Sequence, residues 1–295
     1  MSKKKKRRMF LTGFCFILPF TILYTMFTIW PVIQGFYVSL HKWGLMGKQK
    51  FLGFENYTDF LADKKFWEAL FNTFKFVLIT APMLVILAMI LAMLAIRATK
   101  MKKSLRIIFY LPSILSVSIA SLIARNTFAP YTGLINGMLH SWGILPANKE
   151  LQFLQDPKLV WFTISVMTVW WTIGFSMMLF ISALQEISPE IYEAASIDGA
   201  TKAQQLWHVT MPLLKPTTWM VSLLQIIACF KVYGQVDLIT GGGPAGSTNP
   251  LVMYIFESAF DKNKMGYAAA MSYALFLILL VCSLIQQKLQ RKGED

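Results

Sequence analysis

The residues best spaced to do something lie in Ser188–Pro216, SPEIYEAASIDGATKAQQLWHVTMPLLKP. Ser188 is a natural N-cap and Pro189 suits a first helical turn, where its missing N–H costs nothing. Ile191, Ala194, Ala195 and Ile197 give the helix that follows a small apolar face, and Glu190 and Glu193 favour its positive end. Gly199 ends that helix. Thr201 can cap a second one running through His208, and Pro212 and Pro216 punctuate the return to apolar sequence. The plain reading is a surface loop between two apolar runs. The sharper reading is a docking element, because small Ala and Gly residues on an exposed helix let another protein approach closely.

Two further groupings stand inside or beside apolar runs. Thr168, Trp170, Trp171, Thr172 and Ser176 form one, and Ser222, Gln225, Lys231, Gln235 and Asp237 the other. On a helix starting at Thr217, Lys231 lies about 21 Å along, where snorkelling to an interface serves as well as lining a path. Lys231 and Gln235 are one turn apart on such a helix, whereas Gln225 lies six residues before Lys231, far from the same face, so Ser222, Gln225, Lys231 and Gln235 are not expected all to line a path. Adjacent tryptophans point to different faces, so only one of Trp170 and Trp171 can line a path. Beyond them, Thr240-Gly241-Gly242-Gly243-Pro244 must turn, because three glycines and a proline cannot continue a span. A phosphate cradle would need a Lys-Ser/Thr after the glycines, which is absent; GLMGK at 44–48 is too short for one.

Covalent chemistry has no support. Cys15, Cys229 and Cys282, like His41, His140 and His208, are scattered without ligand spacing, and no paired carboxylates converge. Composition sets the class: 56% hydrophobic, 15% charged, mean hydropathy +0.52. A bilayer needs about 20 apolar residues per helix. Six runs qualify, at about 10–37, 71–96, 105–124, 159–183, 217–239 and 267–286. The expected fold is all-α and polytopic, a single membrane domain over 1–295 with six transmembrane helices and a loop at 184–216 carrying the coupling helix. Pro19, Pro31, Pro82 and Pro112 predict kinks. The first run follows six consecutive Lys and Arg residues but is too long for a signal peptide, so it stays on the protein.

Charge orients the bundle. One side, with both termini and the 184–216 loop, carries sixteen basic against six acidic residues, and the other twelve against nine. The positive-inside tendency places the first side in the cytoplasm. The net charge of +13 is therefore topogenic, with some attraction to anionic membrane lipid, and does not point to nucleic acid.

Against that background, Glu193-Ala194-Ala195, Asp198-Gly199-Ala200 and then Val209-x-Met211-Pro212 resemble the EAA motif of binding-protein-dependent ABC importer permeases. Valine and methionine replace the family's usual isoleucine and leucine without changing the spacing. FLGFENYTDFLADKKFWEALFNT, Gly133-Leu134-Ile135-Asn136 and the region from Thr240 to Ala268 are similar to carbohydrate permeases of that family, so the resemblance covers nearly the whole chain. It implies a non-enzymatic subunit that pairs with a second permease subunit, two ATPase subunits and an extracytoplasmic solute-binding protein. It also implies that ATP and Mg act only on the partner ATPase, with no cofactor on this chain. Glu193, Ala194, Ala195, Asp198 and Gly199 would then hold the ATPase, and Gly241, Gly242, Gly243 and Pro244 would meet the binding protein. Sugar recognition uses hydroxyl-matching side chains and flat rings, which makes Gln225, Lys231, Gln235 and Trp170 the path candidates. An ion-coupled secondary transporter is the alternative, but it calls for carboxylates deep in several spans, and only Asp237 comes near.

Overall fold

The computed structural model describes residues 3–97, 102–146 and 148–291. They form two compact units, one made by the chain up to Asp63 with Ile255–Phe276, the other by Lys64–Tyr254 with the chain from Leu277.

In the first unit, α1 (Lys3–Tyr24) runs through a π turn at Thr25–Ile29 into α2 (Trp30–Ser39). Of this run, Thr12–Ser39 is long and apolar enough to cross a membrane. An antiparallel hairpin follows, β1 (His41–Gly44) and β2 (Gly47–Phe51), then α3 (Glu55–Ala62). Sequence patterning shows only an aromatic loop here. Tertiary contacts make the difference: the buried Asn56 amide donates to the carbonyls of Ser39 (2.8 Å) and His41 (3.0 Å), tying helix end to hairpin base. Gly266 passes so close to the His41 carbonyl that a Cβ could not fit.

The second unit is a bundle of α4 (Lys64–Arg97), α8 (Val160–Glu186) and α11 (Met211–Phe230). Lipid supplies no hydrophobic drive between helices, so close packing must do the work. Ala88, Ala92 and Ala95 of α4, three or four residues apart, let Ile173, Met177 and Phe180 of α8 approach, with Leu214 and Val221 of α11 closing the core. Thr80 donates to Ser165 across α4 and α8 at 2.8 Å.

Five helices among the described residues are long and apolar enough to cross a membrane, and there are six if one sharply bent pair counts as a single span. The run expected as a kinked helix over 105–124 divides into α5 (Lys102–Tyr110) with a 3-10 turn at Leu111–Ile114, then α6 (Val117–Thr127), bent by 101°. Pro112 begins the break, and two residues finish it. Trp171 of α8 donates its indole N–H to the Leu115 carbonyl at 3.0 Å, and the Ser116 hydroxyl accepts from the Ile119 N–H at 3.4 Å to start α6.

The fifth crossing also differs from the expected 217–239. Helix begins at Lys202 and ends at Phe230, passing through a π turn at Leu206–Thr210. Pro212 falls in the first turn of α11 and Pro216 inside it, so neither proline interrupts the run. The wider π turn includes His208, whose carbonyl the Pro212 ring would crowd in an α-helix. Lys231 caps α11, Tyr233 breaks the backbone direction (φ −148°, ψ −71°), and α12 (Gly234–Thr240) starts afresh. α7 (Leu134–Ser141), α9 (Pro189–Ile197), α10 (Lys202–Gln205), α13 (Leu251–Phe256) and α14 (Met265–Arg291) complete the order.

Candidate functional site

The Ser188–Thr210 element is built from local capping and closed by one buried side chain. Ser188 accepts from the Glu190 N–H at 3.4 Å, with Pro189 in the first turn of α9. Gly199 takes φ +80°, the left-handed region. Around it the Ala200 N–H reaches the Ala195 carbonyl (2.9 Å) and the Gly199 N–H the Ser196 carbonyl (3.1 Å), the paired bonds of a Schellman C-cap. Thr201 and Gln204 then form a capping box that starts α10.

Gln205 holds the two short helices together. It is 4% exposed, and its amide donates to the Ser196 hydroxyl at 2.7 Å while its carbonyl oxygen accepts from Lys202 Nζ at 3.2 Å. Tyr192 reaches from α9 to the Thr210 hydroxyl at 3.0 Å. Beside these residues an open groove of about 500 Å3 is lined further by Met93, Ile96, Leu184 and Leu206. Gln205→Leu removes donor and acceptor together and cuts the tie between the two short helices, a loss of about 0.5–1.5 kcal/mol. Tryptic cleavage at the exposed Lys202 of the detergent-solubilised protein should therefore run up to roughly tenfold faster, with overall helix content unchanged. Parent-like cleavage would show that the clasp does not order the turn.

The outer face of this element is bare. Glu193, Ala194, Asp198 and Gly199 are exposed, Ala195 is half-buried, and Ile197 is 87% exposed at the end of α9. A Cβ on Gly199 would meet nothing within 4 Å. Four of the five residues proposed from the motif are thus accessible, at the end of α9 and its C-cap, with Ala195 half-buried among them. Gln205, Tyr192 and Thr210 escape sequence reasoning, since nothing local marks them as partners across the turn.

The path candidates are not brought together. Gln225 is buried in α11 and donates to the Ser176 hydroxyl of α8 at 2.9 Å. Lys231 is an exposed helix cap, and Gln235 belongs to the separate α12, so the expected one-turn pairing of Lys231 with Gln235 fails at the Tyr233 break. Gln235 instead faces Ser121, Thr168 and Trp171 across a small gap. Trp171, and not Trp170, turns to the bent segment; Trp170 is 38% exposed.

The glycine-rich turn is pinned from beneath. Gly241 caps α12 in the left-handed region, and Gly242 (φ +80°) is buried against Met253. Thr248 donates to the Gly243 carbonyl at 2.6 Å. Trp161 donates to the Ser247 carbonyl at 2.9 Å, and the Asn72 amide to the Gly246 and Asn249 carbonyls at 3.3 and 3.2 Å. Gly241, Ala245 and Gly246 form its exposed rim, while Gly243 and Pro244 are half-buried. Among the described residues no cluster of His, Cys, Asp or Glu could hold a metal.

The chain is similar to the probable ABC transporter permease protein YesP of Bacillus subtilis, 33% identical over 93% of this chain and 89% of that protein. It is 32% identical to the multiple sugar-binding transport system permease protein MsmF of Streptococcus mutans, over 96% of each. Its fold matches a subunit of a bacterial alginate ABC transporter, solved in complex with an alginate pentasaccharide-bound periplasmic protein. The TM-score there is 0.82, with 22% identity over 98% of this chain and 96% of that one. Residues 60–293 match the family described as binding-protein-dependent transport system inner membrane component. A match of that extent, on a bundle of membrane-length helices, means that the chain belongs to this family of membrane transport permeases.

Proposed function

We propose that this chain is one permease subunit of an ATP-driven importer that passes a sugar or oligosaccharide across the bacterial cytoplasmic membrane. In this reading it pairs with a second, similar permease subunit, takes its energy from two ATPase subunits that bind ATP and Mg, and receives solute from an extracytoplasmic binding protein. The observation that carries the proposal is the α9–Gly199 turn. Its small, bare edge and internally satisfied backbone suit insertion into a partner's cleft, and the same helical run continues from Thr201 into the crossing that holds Gln225. The sugar class is supported by the named substrates of relatives and by hydroxyl and amide groups at two separate places, Gln225 with Ser176 and Gln235 with Ser121 and Thr168.

Purification through a tag on this chain should retain an ATPase, and reconstituted vesicles should take up oligosaccharide only with ATP and the binding protein. Uptake driven by an ion gradient without ATP would overturn the reading. Orientation is tested separately, because Lys149 and Ile197 lie beyond opposite ends of α8, a single crossing. In a background with Cys15, Cys229 and Cys282 changed to Ala, Lys149→Cys should react with an impermeant thiol reagent in intact cells. Ile197→Cys should react only in inverted vesicles. The reverse pattern would place the docking turn outside.

A further inference from the structure

The geometry points to the β1–β2 hairpin as a membrane-interface anchor, its apolar tip seated among lipid headgroups and its lysines on anionic phosphates. The height of the tip follows from α14. Lys264 and Lys288 bound 23 residues without a charged side chain, about 35 Å of helix, against about 30 Å of hydrocarbon. The N-terminal end of α14 has little room to slide and lies at the bilayer border, where Lys264 stands over the Tyr267 ring. Asn263, two residues before α14, accepts from the Leu45 N–H at 2.5 Å. Gly44 makes that clamp possible, since a Cβ there would lie 2.8 Å from the Asn263 oxygen. Lys48 Nζ meets the Tyr37 hydroxyl at 2.7 Å near the end of α2, so both strands are held beside helix ends.

What this clamp displays is apolar and cationic. Met46 is 96% exposed and Leu45 59%. Lys42 and Lys50 stand directly opposite each other across the strands, both exposed. Like charges in that position weaken a hairpin, and an anionic surface would relieve the repulsion. Glu55 is the first acidic residue of the chain, so no carboxylate of the hairpin competes for Lys42, Lys48 or Lys50. Exposed methionine and leucine beside such a cluster fit the boundary of phosphate and acyl chain.

The test uses the intact transporter in nanodiscs rich in phosphatidylglycerol, with Met46→Cys in the Cys-free background carrying an environment-sensitive fluorophore. Emission should shift to the blue, lipids spin-labelled near the headgroup should quench it, and aqueous iodide should quench it severalfold less than the free dye. Asn263→Ala should lower the lipid quenching by releasing the clamp, and replacing phosphatidylglycerol with neutral lipid should lower it too. Iodide quenching equal to that of the free dye, or lipid quenching insensitive to lipid charge, overturns the assignment. So does protection that develops only when the binding protein is added, which would make the tip a protein dock. None of these readouts depends on transport, so they stand apart from the test of the importer reading.

Discussion

Gly199→Asp should leave the protein in the membrane at parental levels yet cut uptake at least tenfold and lose the ATPase on purification. Two costs combine. An L-residue in the left-handed region is disfavoured by roughly 1–2 kcal/mol. The new carboxylate also sits beside Asp198 at the negative end of α9, where anions are unwelcome. Strain and bulk can be separated, because a Cβ meets nothing within 4 Å inside the chain itself. Gly199→Ala adds strain with little volume. Gly199→Asn adds volume with little strain, since asparagine tolerates this backbone. If the edge inserts into a partner, Asn should impair ATPase retention more than Ala. The opposite order would mean that the turn matters only for its own shape, and parental uptake by all three variants would remove it from coupling.

Gly174→Ala should be the most damaging single methyl group in the bundle. A Cβ there would fall 2.6 Å from Tyr110 Cα and closer still to the Phe109 carbonyl, and both are backbone that cannot swing aside. Overpacking of this kind costs about 1–3 kcal/mol, and the relief open to the chain is to lift the bent segment off α8. That movement would also stretch the Trp171–Leu115 bond. A lower thermal midpoint and slower uptake should follow, with the ATPase still retained, which distinguishes this variant from the Gly199 series. Gly137→Ala, with open space around its Cβ, is the matched control and should behave as the parent. Parental stability for Gly174→Ala would show that the broken crossing shifts freely.

The division between what the sequence shows and what it hides follows the range of the interactions. Ser188, Pro189, Gly199 and Thr201 act on their own neighbours, and each does locally what its residue type suggests. Apolar run length likewise marks the crossings, because lipid imposes it one helix at a time. Misreadings arise where the deciding group is distant. Pro112 announces a kink, but a 101° bend needs Gly174 and Trp171, some sixty residues on. Pro212 and Pro216 look like breakers until the preceding π turn is seen, and the end of α11 at Lys231 carries no glycine or proline signal. The hairpin depends on Asn56, Asn263 and Gly266, none of which is marked by local pattern.

The run from Lys202 to Phe230 has a mechanical consequence. It is 29 residues of unbroken helix, about 43 Å, rooted at one end in the Thr201 capping box and ending at Lys231. Its one irregular turn, the wider π turn at Leu206–Thr210, lies close to the Lys202 end, and from Met211 to Phe230 the rod is regular α-helix. It is gripped along its length, by Leu214 and Val221 in the core with α4 and α8 and by the Gln225–Ser176 bond, so a push at its Lys202 end would have to carry α8 with it.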